Sequence, residues 1–473
     1  MKNYILEETQ MKTASELKEE LFYSKKSVYE LKDEEHIKKA FDYAEGYKKY
    51  LDVSKTEREA VISSIAIAEK AGFRPYRFGD ELKKGDKLYY NNRGKSLFLF
   101  TIGSESIENG VRISAAHIDS PRLDFKPCPV FEESRMGFFK THYYGGIKKY
   151  QWPTIPLAIH GVVTLKDGSH VNVTIGEDDG DPIFYINDIL PHLGALQAKK
   201  PLGEAIEGEM LNLFAGSRPY SNDDEGEQIK LNILAILNEK YGITEADFMA
   251  AELCAVPAEK AKDAGLDRAA VAAYGHDDSV CAYPALTSVI DNADSVHTLM
   301  CVLADKEEIG SEGVSGMQCE VFEDLLNAIS KALGGDPAVV REHSMCLSAD
   351  VAAAYDPNFK EVFEKRNTPE ISCGTVLIKY TGARGKSATS DASAEFVGLV
   401  RAAMEKDEVV WQTGELGKID IGGGGTVAKY IAKMNIDTVD LGVPVISMHA
   451  PYELITKVDL YETYRAFSAF CKY

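Results

Sequence analysis

Apolar positions fall into two textures along the chain. At residues 96–102, 112–118, 296–304, 344–347 and 438–448, short runs rich in β-branched and aromatic residues are apolar at almost every position. That is the signature of strands buried on both faces. Between several of them, as at 320–333 and 393–405, apolar residues recur at helical spacing. Ser54-Lys55-Thr56-Glu57 reads as a capping box that opens a helix with Val61, Ile65 and Ala68 on its apolar face, ending near Gly72. Alternating buried strands and helices predict an α/β fold, a mixed sheet covered by helices on both faces. From about 125 to 266 the texture changes. Strand-like pieces at 157–165 and 170–174 are followed by Gly/Asp turns and acidic stretches such as Ser221-Asn222-Asp223-Asp224-Glu225-Gly226-Glu227. This predicts a β-rich domain at 125–266 inserted into the first domain, which it divides into segments 1–124 and 267–473.

Charge narrows the function. Over 473 residues, 53 Lys and Arg face 74 Asp and Glu, a net charge of −21. Such a surface lacks the clustered cations that phosphate backbones and anionic membranes require, so nucleic-acid binding is excluded as a working reading. The eight cysteines are scattered without a C-x-x-C pair, and Cys301 sits inside the apolar run Leu299-Met300-Cys301-Val302-Leu303. This suits a reducing compartment and neither a disulfide framework nor a thiolate-zinc site. Residues 1–35 are rich in Lys and Glu without the apolar core of a signal peptide. No apolar run approaches the roughly 20 residues that cross a bilayer. A cytoplasmic protein is expected.

The candidate chemistry lies just past the apolar runs. Ile113-Ser114-Ala115-Ala116 leads into His117-Ile118-Asp119, and the run ending at Ala304 into Asp305-Lys306-Glu307-Glu308. Likewise Ala349 meets Asp350 and Met448 meets His449, while Gly275-His276-Asp277-Asp278 precedes Val280-Cys281-Ala282. Ligands of α/β sheets bind outside the carboxyl ends of strands, so these groups can form one cluster. Oxygen and nitrogen donors without thiolate suit zinc, manganese or cobalt in a hydrolytic site, with enough groups for two ions at roughly 3.5–4 Å. Asp119 is placed to orient the His117 imidazole. If Glu307 and Glu308 are extended they point opposite ways, so that one can ligate metal while its neighbour faces the water to be activated.

Taken singly, each piece has a plainer reading: a packed histidine, an Asp helix cap, a solvated Glu-Glu turn. His160, His170, His276, His297 and His343 are read as structural. The run Gly422-Gly423-Gly424-Gly425-Thr426 lacks the lysine of a phosphate loop and reads as a loop or a close backbone approach to substrate. Only the joint occurrence at successive strand ends favours chemistry.

Together His117-Ile118-Asp119-Ser120-Pro121, Asp305-Lys306-Glu307-Glu308-Ile309-Gly310-Ser311, Asp350 with Asp356-Pro357-Asn358-Phe359, and Asp440-Leu441-Gly442-Val443-Pro444 leading to Ser447-Met448-His449 resemble the aspartyl aminopeptidase family of dinuclear zinc exopeptidases. The resemblance runs from about residue 100 to the C-terminus. It implies a catalytic domain made of both chain ends, an inserted dimerisation domain and a tetrahedral dodecamer built from dimers. It also implies that His117 and Asp350 hold one metal, Glu308 and His449 the other, and that Asp277 bridges them. Glu307 would be the general base and Asp119 the support of His117. His192, in Leu190-Pro191-His192-Leu193, would reach a neighbouring subunit's site; Lys379, Gly425 and Thr426 would face the substrate. Where the family commonly carries a Trp-containing stretch followed by Asp-Arg and Leu, this chain has Tyr144-Gly145-Gly146-Ile147-Lys148-Lys149-Tyr150-Gln151-Trp152-Pro153. The family's aromatic residue a few positions past Lys379 is also absent.

The expectation is a metallo-aminopeptidase acting on peptides with acidic N-terminal residues, through charge pairing with a cation such as Lys379, or on neutral ones such as leucine. Two alternatives are a dinuclear deacylase of N-acyl amino acids and a non-catalytic assembly protein of the same fold.

Overall fold

The computed structural model describes residues 12–221 and 226–473, so residues 1–11 and the centre of the acidic stretch, 222–225, lie outside the described residues. A nine-stranded mixed sheet runs Arg74–Pro75, Lys87–Asn92, Ser96–Thr101, Thr298–Ala304, Val111–His117, Met345–Ser348, Asp437–Gly442, Thr375–Ile378, Trp411–Thr413. Its four middle strands, from Thr298–Ala304 to Asp437–Gly442, are mutually parallel. They alternate cleanly. Leu299, Cys301 and Leu303 pack on one face with the helices Glu34–Asp52, Glu57–Lys70, His276–Asp291, Ala394–Lys406 and Lys457–Lys472. Met300, Val302 and Ala304 pack on the other with Val321–Ala332, Pro337–His343 and Ala428–Ala432. Burial on both faces is why these strands read as unbroken apolar runs.

A second, antiparallel sheet runs His170–Ile175, Leu157–Thr164, Ala251–Pro257, Arg122–Glu133, Met136–Tyr144, Leu213–Gly216, Tyr185–Ile186. It has its own core, in which Leu123, Trp152, Ile159, Leu213 and Leu253 pack with Ile229 and Ile233 of the helix Gln228–Tyr241. After it the chain re-enters the first layer through the strand Ala270–Ala273, which pairs with Glu453–Thr456 near the C-terminus.

Four local expectations are corrected. The capping box of the helix Glu57–Lys70 uses Thr56 and Glu59, two residues later than Ser54 and Glu57, because the Ser54 hydroxyl is buried without a partner while the Thr56 hydroxyl accepts from the Glu59 amide. Asp277 and Asp278, grouped with the strand-end residues, instead open a helix whose Val280, Cys281 and Ala282 pack in the core against the sheet. The run 438–448 is split between Asp437–Gly442 and Pro444–Val445, since Gly442 comes so near that a Cβ there would lie 1.7 Å from the Asp350 carbonyl oxygen. Finally, Glu307–Ile309 is a single 3₁₀ turn entered through Lys306 at φ 68°, so the two glutamates are not neighbours in extended chain.

Candidate metal centre

The parallel strands end at one edge of the sheet, and the polar residues follow. His117 is the last residue of its strand, paired across the ladder with Ala304, which delivers Glu307 and Glu308 three and four residues on. Asp350 follows Met345–Ser348 by two residues, and His449 follows Gly442 after the short strand Pro444–Val445. Asp277 and Asp278 open the helix His276–Asp291, which packs against the strand carrying His117. Segments more than 300 residues apart thus meet.

All seven residues expected to form the centre come together. Asp277 stands between the imidazoles: its Oδ1 is 3.2 Å from His117 Nε2 and its Oδ2 is 3.1 Å from His449 Nε2. Glu308 Oε1 is 3.5 Å from His449 Nε2, and Asp350 Oδ1 is 3.9 Å from His117 Nε2. His117, Asp277 and Glu308 present donor atoms within 4.8 Å of one another, as do His117, Asp278 and Asp350. Asp119 is fully buried, and its carboxylate accepts the amides of Glu307 at 3.0 Å and Glu308 at 3.1 Å. His117 Nδ1 donates chiefly to the Asp119 carbonyl at 3.0 Å, the carboxylate being 3.4 Å away. His449 has a left-handed backbone, φ 63°, a costly conformation for histidine. It is held by Glu453, whose two oxygens take the His449 amide at 2.8 Å and the Asp277 amide at 3.1 Å.

The centre carries more negative charge than its protein partners can neutralise. Burial pushes the carboxyls of Glu307, Glu308 and Asp350 up, and that of Asp278 up to about 8. For Asp277 burial acts the same way, but the two imidazoles outweigh it and hold the carboxyl down. The imidazoles respond in kind: burial alone would lower His449, yet Asp277 and Glu308 raise it to about 10. Asp277 Oδ1, both carboxylate oxygens of Asp278 and Glu308 Oε1 are buried without a hydrogen-bond donor. Buried carboxylate oxygens left without donors are expensive. A divalent cation among them would satisfy these oxygens and keep the imidazoles neutral, so the residues fit a metal centre of oxygen and nitrogen donors.

Comparison with known proteins gives the family. Residues 50–471 match the family described as aminopeptidase I zinc metalloprotease (M18). The chain belongs to the M18 family. A probable M18 family aminopeptidase 1 of Clostridium acetobutylicum is 47% identical over 94% of this chain and 97% of its own. The crystal structure of an M18 aminopeptidase from Thermotoga maritima superposes with a TM-score of 0.91 at 40% identity, covering 95% of this chain and all of that one. Aminopeptidase I from Clostridium acetobutylicum gives 0.90 at 44% identity, over 96% of this chain and all of its own. The protein is therefore a zinc-dependent metallo-aminopeptidase, a hydrolase with the mixed α/β fold of its family. Neither the deacylase nor the non-catalytic reading is favoured.

Beside the centre, this M18 aminopeptidase has a cavity of about 230 Å³ into which Asp277, Glu307, Glu308, Asp350 and His449 open. Gly425 and Thr426 line it, with Gly423 and Gly424. Gly423 has φ 134° and runs so close to Ala383 that a Cβ would lie 2.5 Å from the Ala383 Cα, so the glycine run lets backbone form the wall. Lys379 is elsewhere. It follows the strand Thr375–Ile378, whose Ile378 lines the cavity, and its Nζ binds Asp391 at 2.6 Å. His192 is exposed in the second sheet's layer, within Pro191–Leu193, and does not line the cavity. Sequence reasoning missed Glu453, Tyr144, Asp440 and Glu415. Tyr144 donates to Asp119 Oδ2 at 2.8 Å, and Asp440 and Glu415 line the cavity wall. Glu453, four residues past His449, carried no signal of its own; Asp440 lay in a quoted motif without a role. No helix among the described residues is long and apolar enough to cross a membrane.

Proposed function

We propose that this aminopeptidase works through two divalent ions, one held by His117 and Asp350, the other by Glu308 and His449, with Asp277 between them. The observation that carries this reading is Asp277 itself, which offers one oxygen to each imidazole at 3.2 and 3.1 Å. Zinc is the family's metal; manganese and cobalt suit the same donors. Ions bound there would supply Lewis acidity to the scissile carbonyl and to the attacking water. Glu307, whose carboxylate is open to the cavity while the imidazoles pair with Asp277, Asp350 and Glu308, takes the proton of that water and hands it to the departing amine. Asp119 fixes the main chain of both glutamates while they act.

The preferred N-terminal residue is neutral and apolar. Val351, Ala352, Ala353, Ile378, Leu416 and Met448 line the cavity, and none of the described residues lining it is Lys or Arg. Glu415 and Asp440 are its other acidic neighbours, so an acidic side chain would enter against negative charge with Lys379 already paired to Asp391. Residues 125–266 serve as an inserted dimerisation domain, and dimers assemble into a tetrahedral dodecamer in the cytoplasm. A Saccharomyces cerevisiae mApe1 described as a dodecamer shares the fold, with a TM-score of 0.74 at 20% identity. The exposed Ile189, Leu190, Leu193 and Leu196 around His192 offer an apolar face for a second copy, which would bring His192 to a neighbour's cavity.

The test is a panel of Leu-, Asp- and Glu-anilides and N-acetyl-leucine anilide, with metal-free enzyme reconstituted with zinc, manganese or cobalt. Leu-anilide should be hydrolysed at least tenfold faster than either acidic substrate, and the acetylated one not at all. Preference for Asp or Glu overturns the specificity; hydrolysis of the acetylated substrate overturns the requirement for a free amine.

A further inference from the structure

We propose that the turn Tyr144-Gly145-Gly146 is a clamp through which the second sheet fixes both halves of the metal centre, with Tyr144 a positioning residue for His117 and Glu307. The proposal rests on the ligand and base assignments above. The turn follows directly on the strand Met136–Tyr144, in the stretch where this chain departs from the family pattern.

Three contacts carry it. The buried Tyr144 hydroxyl donates to Asp119 Oδ2 at 2.8 Å. Burial and the Asp119 charge keep that phenol protonated, so it acts as the donor. The same carboxylate takes the amides of Glu307 and Glu308 and flanks His117 Nδ1. Two residues on, the Gly146 carbonyl accepts from His449 Nδ1 at 2.7 Å, which leaves Nε2 free to face Asp277. Between them Gly145, at φ 74°, passes so near that a Cβ would lie 3.1 Å from Glu308 Oε2. One turn therefore reaches the His117 side through Asp119 and the His449 side directly.

The clamp is itself anchored. The Arg122 guanidinium lies 4.4 Å from the centre of the Tyr144 ring. Arg122 is held by Glu57 at 2.6 Å and Asp124 at 2.8 Å, so the ring cannot swing without disturbing a buried ion pair. The 3₁₀ turn bearing Glu307 and Glu308 starts from a left-handed Lys306 and relies on the Asp119 carboxylate for two of its amides. Without the hydroxyl, Asp119 Oδ2 loses the donor it shares with the Glu308 amide, the two main-chain amides alone hold the carboxylate, and the base and one ligand shift with it. Partners that orient metal ligands in this way typically govern metal affinity or turnover by about 10–100-fold.

The test is Tyr144→Phe, which keeps the ring under Arg122 and removes only the hydroxyl. Zinc affinity is measured by titration against a chromophoric chelator, kcat and KM on Leu-anilide, and folding of the metal-free protein by circular dichroism. The expected result is a kcat lower by 10–100-fold with KM within about threefold, a zinc equivalent bound 10–100-fold more weakly, and a folded metal-free protein. The bond from His449 Nδ1 to the Gly146 carbonyl is left in place by this substitution. Unchanged kcat and zinc affinity overturn the proposal, as does a loss of both that only tracks unfolding. A parent enzyme that binds one zinc overturns the two-ion reading instead, and the Tyr144 effect is then read on that one site.

Discussion

Replacing Glu307 with glutamine separates a base from a ligand at this centre. The strongest influences on the Glu307 carboxyl are burial, which raises its pKa, and the through-space charges of His117, Asp277, Asp119 and His449. Glutamine preserves shape, and the main-chain hydrogen bond from Glu307 to Asp119 is untouched. Fold and zinc content should therefore survive, while the proton acceptor is lost. General-base catalysis contributes about 10²–10⁴-fold, which at about 1.4 kcal/mol per tenfold is about 3–5 kcal/mol of transition-state stabilisation. Glu307→Asp keeps the charge but withdraws it by one methylene, and a displacement of about 1 Å can cost about 10²-fold. The ordering expected for kcat on Leu-anilide is parent, then Glu307→Asp, then Glu307→Gln, with equal zinc per protein by elemental analysis. Turnover of Glu307→Gln within tenfold of the parent at full zinc would refute the base assignment. Loss of zinc in step with activity would make Glu307 a ligand.

Two further predictions concern the scaffold. Gly442→Ala places a methyl group 1.7 Å from the Asp350 carbonyl oxygen, so Asp350 must move; the variant should lose about 1–3 kcal/mol of stability and bind zinc more weakly, seen in thermal melts with and without the metal. His160 lies between Glu59 on the helix Glu57–Lys70 and Glu177 beyond the strand His170–Ile175, at 2.7 and 3.0 Å. Burial lowers its pKa, but the two carboxylates outweigh it and raise it to about 9 from an ordinary 6.5. A pKa raised on folding stabilises fully below 6.5 and fades as pH climbs through 9, here by about 3 kcal/mol. Denaturant unfolding at pH 6 and pH 9.5 should show that loss, and His160→Gln should flatten it.

Much of the first layer was legible because its strands are buried twice over. The runs at 96–102, 112–118 and 296–304 correspond to Ser96–Thr101, Val111–His117 and Thr298–Ala304 within two residues. The misreadings share one cause, a local signal overruled by packing. Asp277-Asp278 was grouped with the strand ends, yet it opens a helix that packs Val280, Cys281 and Ala282 in the core against the sheet. The capping box moved from Ser54 to Thr56 because the Ser54 side chain is buried with no amide to cap.

The centre was legible in part for a different reason: strand ends in a parallel sheet converge whatever the separation in sequence, so His117, Glu307, Glu308, Asp350 and His449 could be grouped from their places past apolar runs, whereas Asp277 opens a helix. What escaped are the groups that act through main chain. Glu453 holds two amides and Gly146 offers a carbonyl, and neither role demands a residue type that a pattern could reveal. Lys379 shows the limit of likeness from another side. Lys379 falls at a bend just past the strand Thr375–Ile378; Ile378 lines the cavity, while the Lys379 ammonium binds Asp391. A matching position in a family pattern fixes where a residue falls along the chain, but the partner it finds there decides what it serves. Here Ile378, and not Lys379, lines the cavity, and the proposed preference for neutral N-terminal residues rests on that contact.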